Sequence, residues 1–230
     1  STGKHFCAGM DLSAFSNGVD DIPDDKKPDH ARVGEAVYRT AKELQGYISK
    51  LEEIRVPVIA AVHGGVIGGA LDLITACDMR FASNDAFFCI QEINIGMAAD
   101  VGTLQRLPKI IPDSKMREMA YTGRRMLADE AKDSGLVGET YETQDEMLDA
   151  VHKLATEIAS KSPVAIYGLK AVMNYSRDHN VSDSLDFNAL WSGAMLSQAD
   201  MTEAMTAQME KRDASFDKMV DVKKFNESKS

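Results

Sequence analysis

Cysteine is scarce in this chain of 230 residues, which contains only Cys7, Cys77 and Cys89. Three cysteines make neither a disulfide framework nor a CxxC metal motif, so the sequence favours a reducing compartment. Positive charge is also in short supply, because 26 Lys and Arg stand against 36 Asp and Glu, giving a formal net charge of -10. Nucleic acids and anionic membranes are bound by clustered cations, and we therefore expect neither as the main partner.

Long apolar runs and a leader sequence are absent as well. No run approaches the length of a membrane span, and no signal peptide is visible at Ser1. The chain has no initiator methionine, and residues 1–4 resemble a turn within a motif whose beginning lies before Ser1. On this basis we expect that the domain begins upstream and that the missing part contains strands of the same sheet.

Hydrophobic periodicity predicts an α/β layered core over residues 1–141 and a helical C-terminal region over residues 142–230. Residues 13–31 are polar and rich in turn formers, and they are either a solvated connection or a flap over a pocket. Strands are predicted at 58–62, 79–83, 86–90 and 136–141, with a turn at Asn84–Asp85. Helices are predicted at 33–54, 70–77, 99–107, 112–122, 128–134, 144–161, 164–177, 183–197 and 201–219.

Two glycine-rich elements are present, one at residues 6–12 and one at residues 63–72. Gly68 and Gly69 lie between a predicted strand and a helix, where main-chain N–H groups are unpaired and a ligand can approach the backbone. Together with the Ala8-Gly9-Met10 loop, this arrangement suggests that the amides of Met10 and Gly69 converge on one oxygen. A tight turn needed only for packing is the alternative. The spacing is neither GxGxxG nor GxxxxGK[ST], so nucleotide binding is not indicated.

Three acids accompany these elements: Asp72, Glu92 and Asp100. Carboxylates beside an oxyanion site are the equipment for moving protons next to a thioester carbonyl, without a metal or redox cofactor. Each acid also has a structural alternative. Asp72 would favour the dipole of the helix whose first turn it occupies, Glu92 would be a surface carboxylate at a strand end, and Asp100 would cap a helix over 101–107.

The chain resembles the crotonase superfamily, also called the enoyl-CoA hydratase/isomerase family, from Gly3 to about Val220. The resemblance is carried by GKHFCAGMDL, by PVIAAVHGGVIGGALDLITACDMRFAS and by the region after Ala86. Within the family it is most similar to the Δ3,5-Δ2,4-dienoyl-CoA isomerases, through QEINIGMAADVGTLQRLP at residues 91–108. Hydratases usually place glutamates at the positions of Asp72 and Glu92 and no acid at the position of Asp100.

The resemblance implies a ββα spiral core of the ClpP/crotonase type and a C-terminal helical trimerisation region, in trimers or dimers of trimers. It implies an acyl-CoA thioester substrate whose carbonyl oxygen rests on the Met10 and Gly69 amides, with Ala8, Gly68 and Lys4 in contact with the substrate. Coenzyme A is then part of the substrate, and no separate cofactor is expected. The implied location is cytoplasmic in a bacterium and mitochondrial or peroxisomal in a eukaryote, although residues 228–230 (SKS) fall short of an SKL signal.

We expect Glu92 to remove the C2 proton and Asp100 to deliver one to C6, because these carbons are too far apart for one carboxylate to serve both. Gly96 would bend the segment between the two acids, and Asp72 would polarise the site or hold a water. The enzymatic alternative is an enoyl-CoA hydratase or another acyl-CoA isomerase that uses Glu92 with Asp72. The alternative from another class is a catalytically silent scaffold or RNA-binding homologue.

Other residues have weaker indications. Cys7 is expected to be a small buried thiol rather than a nucleophile, and His63 a structural imidazole. His5, beside Lys4, either touches coenzyme A or is merely solvated. Two further groups are expected in the C-terminal region: methionines in the core or at an interface (Met195, Met201, Met205 and Met209) and a basic pair that meets the CoA phosphates (Lys211 and Arg212).

Overall fold

A computed structural model describes residues 1–11 and 29–222. The expected loop at 13–31 and the C-terminal SKS therefore fall largely or wholly outside the described residues. The chain divides into two units, one formed by Ser1–Glu52 with Val58–Asp149 and the other by Glu53–Pro57 with Ala150–Ser230. Within the described residues, no helix is both long enough and apolar enough to span a bilayer.

Helices and strands alternate in the first part of the chain and helices follow. The strands are β1 (Ile59–Val62), β2 (Gly65–Ile67), β3 (Met79–Ser83), β4 (Phe87–Cys89), β5 (Met126–Leu127) and β6 (Glu139–Tyr141). The helices are α1 (His30–Glu53), α2 (Gly69–Thr75), α3 (Thr103–Arg106), α4 (Asp113–Thr122), α5 (Ala128–Asp133), α6 (Gln144–Ala159), α7 (Pro163–Asp178), α8 (Val181–Met195) and α9 (Gln198–Glu210). Two 3-10 turns, Gln91–Ile95 and Leu107–Lys109, complete the regular structure that is described.

The strands form two three-stranded sheets, ordered β1-β3-β6 and β2-β4-β5, and strands β1 to β4 alternate between them along the chain. In the second sheet β2 and β4 run parallel, with Gly65 opposite Phe87 and Ile67 opposite Cys89. The turn at Asn84–Asp85 therefore joins strands of different sheets, not a hairpin. Because β2 and β4 are parallel, the segments that leave their C-terminal ends emerge at the same edge.

An apolar core lies between these elements in the first unit. The side chains of Val62, Val66, Leu71, Ile74 and Phe88 are fully buried. They come from β1, β2, α2 and β4, so the elements that flank the double-glycine turn are packed on both sides. Burying one such side chain stabilises the fold by about 1.5–3 kcal/mol. The double-glycine turn is consequently held in place by the packed core on either side of it.

The α/β class predicted from the sequence is confirmed, and most elements lie within a few residues of their predicted bounds. Strand β2 was missed, because its three residues sit between glycines and read as part of a turn. The helix predicted over 99–107 is wrong in its first half, since α3 is only Thr103–Arg106. The helix predicted over 201–219 ends at Glu210, where Lys211 adopts a left-handed backbone with a φ of 56°.

The second unit is helical. Helices α7, α8 and α9 are preceded by the N-cap residues Ser162, Asn180 and Ser197, whose side chains each accept a hydrogen bond from a first-turn amide. Helices α7 and α8 are joined by aromatic contacts, including stacked rings of Tyr175 and Phe187 with centroids 4.2 Å apart. Side-chain caps therefore fix the starts of these three helices, and ring packing joins α7 to α8.

Two sequence expectations for the second unit need correction. Met195, Met205 and Met209 are exposed, Met209 by 77%, so they are not core residues of this chain, and an interface remains the prediction for them. Arg212 does not present a free cation to a ligand. Its guanidinium pairs with Glu203 at 2.6 Å and with Glu210 at 2.7 Å.

The end of α4 gives a stability prediction. Gly123 has a φ of 60°, and a Cβ placed there would lie 2.5 Å from the side-chain amide of Asn94. We expect Gly123→Ala to lower the free energy of unfolding by about 1 kcal/mol or more, because the backbone is strained and Asn94 is displaced.

Gly46 provides the matched control, because it lies within α1 and a Cβ there would meet nothing within 4 Å. Gly46→Ala should raise the free energy of unfolding by about 0.5–1 kcal/mol through helix propensity. Urea unfolding of both variants checks the pair, and a destabilisation by Gly46→Ala equal to that by Gly123→Ala would contradict the explanation.

Candidate active site

The double-glycine turn connects β2 directly to α2. Gly68 has a φ of 57° and a ψ of -122°, a conformation that favours glycine. Its amide donates to the Cys89 carbonyl at 3.0 Å, and its carbonyl accepts from the Leu71 amide at 2.7 Å. The next amide, that of Gly69, has no hydrogen-bond partner among the described residues. An unpaired N–H at this turn is available to an oxygen of a ligand.

The first glycine element lies against the same turn. Cys7 pairs with β2, donating from its amide to the Gly65 carbonyl at 3.1 Å and accepting from the Ile67 amide at 3.2 Å. A Cβ added to Gly9, whose φ is 93°, would lie 3.2 Å from the Ile67 carbonyl oxygen. Ala8 and Met10 therefore flank a point where the loop touches the end of β2. The Met10 amide also has no partner in the described part of the chain.

Lys4 lies at the other end of β2. A Cβ added to Gly64, which precedes the strand, would lie 2.3 Å from the Lys4 carbonyl oxygen, whereas Gly68 follows the last residue of that strand. Four residues of extended chain span roughly 13 Å. The Lys4 backbone and the double-glycine turn therefore lie at opposite ends of β2.

Glu92 lies directly beside the turn. It belongs to the 3-10 turn that follows β4, and a Cβ on Gly68 would be 3.2 Å from Glu92 Oε1. Burial raises the pKa of Glu92, and the charges of Asp72 and Asp100 raise it further, against a lowering by the backbone hydrogen bond. The alternative of a surface carboxylate is wrong, because the side chain is half-buried and aimed at the backbone of the turn.

Asp72 is enclosed, with 1% of its surface exposed. Its Oδ1 accepts a hydrogen bond from the Thr103 amide at 2.5 Å. Burial raises the pKa of Asp72 and the charge of Asp100 adds to this, whereas the Thr103 hydrogen bonds and the charge of Arg106 lower it. Asp72 thus joins α2 to the start of α3, a structural contact more specific than the helix-dipole role considered for it.

Asp100 is exposed at the end of the segment that follows Glu92. It is not the cap of a helix, because α3 begins at Thr103 after Gly102, with no side-chain cap. The helix-capping alternative is therefore wrong. The predicted bend at Gly96 is confirmed by its left-handed φ of 78°. Since the charge of Asp100 raises the pKa of both other acids, the three carboxylates share one electrostatic environment.

Sequence reasoning missed the contacts that hold the Glu92 turn. The Asn94 amide group donates to the Gly123 carbonyl at 3.1 Å and to Gln91 Oε1 at 3.2 Å. The Cys89 thiol donates to the same Gly123 carbonyl at 3.2 Å. The available signal was Gly123 itself, since glycine commonly ends a helix in the left-handed conformation.

The remaining candidates divide between confirmed and corrected expectations. His63 is a buried structural imidazole, as predicted, with Nε2 2.8 Å from the Gly3 carbonyl. His5 accepts from the Gly65 amide at 2.9 Å through Nδ1, so it is held by the fold. Cys7 is exposed, and the expectation of a buried thiol is wrong. Among the residues described, only β2 pairs with the Cys7 backbone, which leaves its other side uncovered.

The geometry suits proton transfer beside a carbonyl group. Two amides that have no partner among the described residues lie in adjoining loops. The half-buried Glu92 carboxylate, whose pKa is raised, lies beside Gly68 in one of these loops, and exposed Asp100 acts on it through its charge. A carboxyl whose pKa moves towards neutrality serves better as a proton acceptor and donor than an ordinary one. Amide donors can stabilise the negative charge that develops on the carbonyl oxygen.

A family profile described as "Enoyl-CoA hydratase/isomerase" matches residues 1–219. A protein of Rattus norvegicus named "Delta(3,5)-Delta(2,4)-dienoyl-CoA isomerase, mitochondrial" is 46% identical over 213 residues, which are 92% of this chain and 64% of the rat protein. The chain thus spans less than two thirds of that relative. A protein of Arabidopsis thaliana named "Delta(3,5)-Delta(2,4)-dienoyl-CoA isomerase, peroxisomal" is 45% identical over 217 residues, covering 94% of this chain and 77% of the plant protein.

A crystal structure titled as an enoyl-CoA hydratase from Bacillus anthracis has the same fold. It superposes with a TM-score of 0.80 and 28% sequence identity, over 94% of this chain and 78% of the bacterial chain. The predicted crotonase architecture is thereby confirmed.

The buried state of Asp72 gives a prediction about pH. Its pKa is raised in the folded protein above the unfolded value of about 3.9, so its ionisation costs stability as the pH rises through the folded pKa. Asp72→Asn cannot ionise and keeps an oxygen for the Thr103 amide. We expect the unfolding free energy of the Asn variant minus that of the wild type to increase between pH 3 and pH 7.

Asp72→Ala is the comparison that removes the acceptor itself. It should leave the Thr103 amide unpaired and cost about 1–3 kcal/mol. Urea unfolding across the pH range measures both variants. A pH-independent difference between Asp72→Asn and the wild type would show that Asp72 is not destabilised by its charge.

Proposed function

The chain belongs to the enoyl-CoA hydratase/isomerase family, and from that premise we propose that it converts 3,5-dienoyl-CoA esters to 2,4-dienoyl-CoA esters in fatty-acid β-oxidation. The observation that carries the proposal is the third acid, Asp100, whose charge acts on the half-buried Glu92 beside the double-glycine turn. The names of relatives that are 45–46% identical support the same activity.

The proposed reaction moves a proton from C2 to C6 of the acyl group. Glu92 accepts the C2 proton, and the electrons of the broken C–H bond delocalise into a dienolate with its negative charge on the thioester oxygen. The amides of Met10 and Gly69 hold that oxygen, and one such donor contributes about 3–4 kcal/mol in comparable sites. Asp100 then delivers a proton to C6, and the double bonds settle at C2 and C4.

The proton count balances once the acids are reset. After turnover Glu92 carries a proton and Asp100 does not, so a proton returns from Glu92 to Asp100 directly or through solvent. The mutual repulsion that raises the pKa of Glu92 supports such an exchange, because it disfavours having both groups ionised. Asp72 contributes its charge and its hydrogen bond to Thr103 without reaching the substrate.

Substrate and assembly follow from the same proposal. An acyl-CoA thioester would extend from the turn past Ala8 and Gly68 towards Lys4, with no further cofactor, and neither nucleic acid nor a membrane would be a partner. The chain would form homotrimers or dimers of trimers. Exposed apolar side chains on α7 and α8 support an interface there: Leu169, Met173, Leu185 and Leu190.

The location would be mitochondrial or peroxisomal in a eukaryotic cell, as in the names of the rat and plant relatives, and cytoplasmic in a bacterium.

Turnover of a 3,5-dienoyl-CoA, with a 2-enoyl-CoA in parallel, tests the activity. We expect the 2,4-diene chromophore to appear and the enoyl ester to be hydrated little. Rapid hydration without diene formation would instead support an enoyl-CoA hydratase, a reading favoured by the likeness to the Bacillus anthracis structure. Neither activity from folded protein would favour a catalytically silent homologue.

The two acids give a mutational prediction. Glu92→Gln and Asp100→Asn should each lower kcat for isomerisation by about 10²–10⁴-fold, because each removes one proton-transfer group. Asp129→Asn, which neutralises an exposed carboxylate on α5, is the control and should leave kcat unchanged. Near-normal turnover by Asp100→Asn would remove Asp100 from the mechanism, and the same result for Glu92→Gln would remove Glu92.

Assembly is checked by light scattering on the purified protein. A mass of three or six times that of the chain is expected. A monomeric mass at micromolar concentration, from protein that is folded and active, would contradict the proposed trimer.

A further inference from the structure

We infer that Gln45 on α1 is a positioning residue for Asp100, acting through the Asp100 backbone. Its Nε2 donates to the Asp100 carbonyl oxygen at 2.7 Å, although the two residues are 55 positions apart in the chain. A catalytic effect of Gln45 depends on the proposed function of Asp100, whereas the hydrogen bond between the two residues is independent of that function.

Gln45 is part of a polar stripe along α1. Gln45, Ser49 and Glu52 are spaced by four and three residues, so their side chains lie on one face of the helix. Ser49 and Glu52 both contact Arg106, whose Nη2 lies 2.9 Å from Ser49 Oγ and 2.7 Å from Glu52 Oε2. One helix face therefore holds both ends of the segment from residue 100 to residue 106.

The same segment is fixed from within. The Arg106 guanidinium packs so closely on Gly102 that a Cβ there would lie 1.9 Å from Nη1, and Nη1 lies 3.5 Å from the Val101 carbonyl. The Thr103 amide donates to buried Asp72. Residues 101–103 are thus held by Arg106 and Asp72, and the Asp100 carbonyl is held by Gln45. Loss of the Gln45 side chain would therefore free the backbone of Asp100, while residues 101–103 would stay held by Arg106 and Asp72.

The orientation of the Gln45 amide group is also set. Lys42 donates from Nζ to Gln45 Oε1 at 3.1 Å, which leaves Nε2 as the group that faces the Asp100 carbonyl. The Asp100 carboxylate has no hydrogen bond among the described residues and is exposed. Its place relative to Glu92 consequently depends on how firmly its own backbone is held. A carboxylate fixed only through its main chain can exchange a proton without first breaking a side-chain hydrogen bond.

The test replaces Gln45 by methionine, which has similar length and helix propensity but no donor. Wild type, Gln45→Met, Asp100→Asn and the double variant form a cycle. The first readout is the Glu92 pKa, measured by carbon NMR of the side-chain carboxyl, which requires no substrate. Gln45→Met should lower this pKa towards the value in Asp100→Asn, and should not change it when Asp100 is already Asn.

The second readout is kinetic, in D₂O with a 3,5-dienoyl-CoA. Gln45→Met should slow formation of the 2,4-diene about tenfold, because the proton donor is misplaced, while deuterium exchange at C2, the Glu92 step, stays within about twofold. In the Asp100→Asn background the same change should alter diene formation by less than about twofold. Gln45→Ala should behave alike, and Gln105→Ala, which removes an exposed amide side chain from the same segment, should change neither readout.

The outcomes separate the two proposals. An unchanged Glu92 pKa in Gln45→Met, or an equal change in both backgrounds, overturns the positioning role whatever the activity. Equal losses of C2 exchange and diene formation also overturn it, since they indicate general damage. If the wild type forms no diene, the proposed isomerase activity fails, while the Glu92 pKa cycle still decides whether Gln45 holds Asp100.

Discussion

Parallel pairing of β2 with β4 determines where the site forms. The pairing sets Ile67 opposite Cys89, so the chain leaves both strands at one edge. From β2 it enters Gly68 and Gly69, whose amide has no partner in the described part of the chain, and from β4 it enters the 3-10 turn of Glu92. The hydrogen bond from the Gly68 amide to the Cys89 carbonyl joins the two segments that leave these strands. The register of the sheet thereby places the Glu92 carboxylate beside the double-glycine turn.

The position of Glu92 has an electrostatic cost, because it lies near two other carboxylates, Asp72 and Asp100, in a chain whose net charge is already -10. Burial, and after it the like charges of the neighbouring acids, raises the pKa of Glu92 and of Asp72, which means that ionising these groups destabilises the folded protein. The cost is offset locally by the Thr103 amide and by Arg106, whose own charge is balanced by Glu52 at 2.7 Å. Asp72 therefore has two effects. It anchors the segment after Asp100 through the Thr103 amide, and its charge raises the pKa of Glu92.

The two glycine turns, the three acids and most helices and strands could be predicted from the sequence. Glycines without side chains mark turns directly, and the acids Asp72, Glu92 and Asp100 stand out beside them. Periodicity located α1, β1, α2 and β3 because each carries several apolar residues in register. Strand β2 escaped notice because three residues between glycines carry no usable periodicity. Helix α3 was overextended because the apolar residues before Thr103 belong to an irregular segment held by side chains from elsewhere.

Contacts distant in sequence could not be predicted in the same way. Nothing local in Gln45 indicates a bond to the Asp100 carbonyl, and nothing in Asn94 indicates the Gly123 carbonyl. Such bonds depend on where whole elements are placed, which single residues do not encode. The two kinds of contact also act on different parts of the site. The register of the sheet places Glu92 beside the double-glycine turn, whereas the segment that carries Asp100 is held by α1, Arg106 and Asp72. The positions of Glu92 and Asp100 are therefore set by separate parts of the fold.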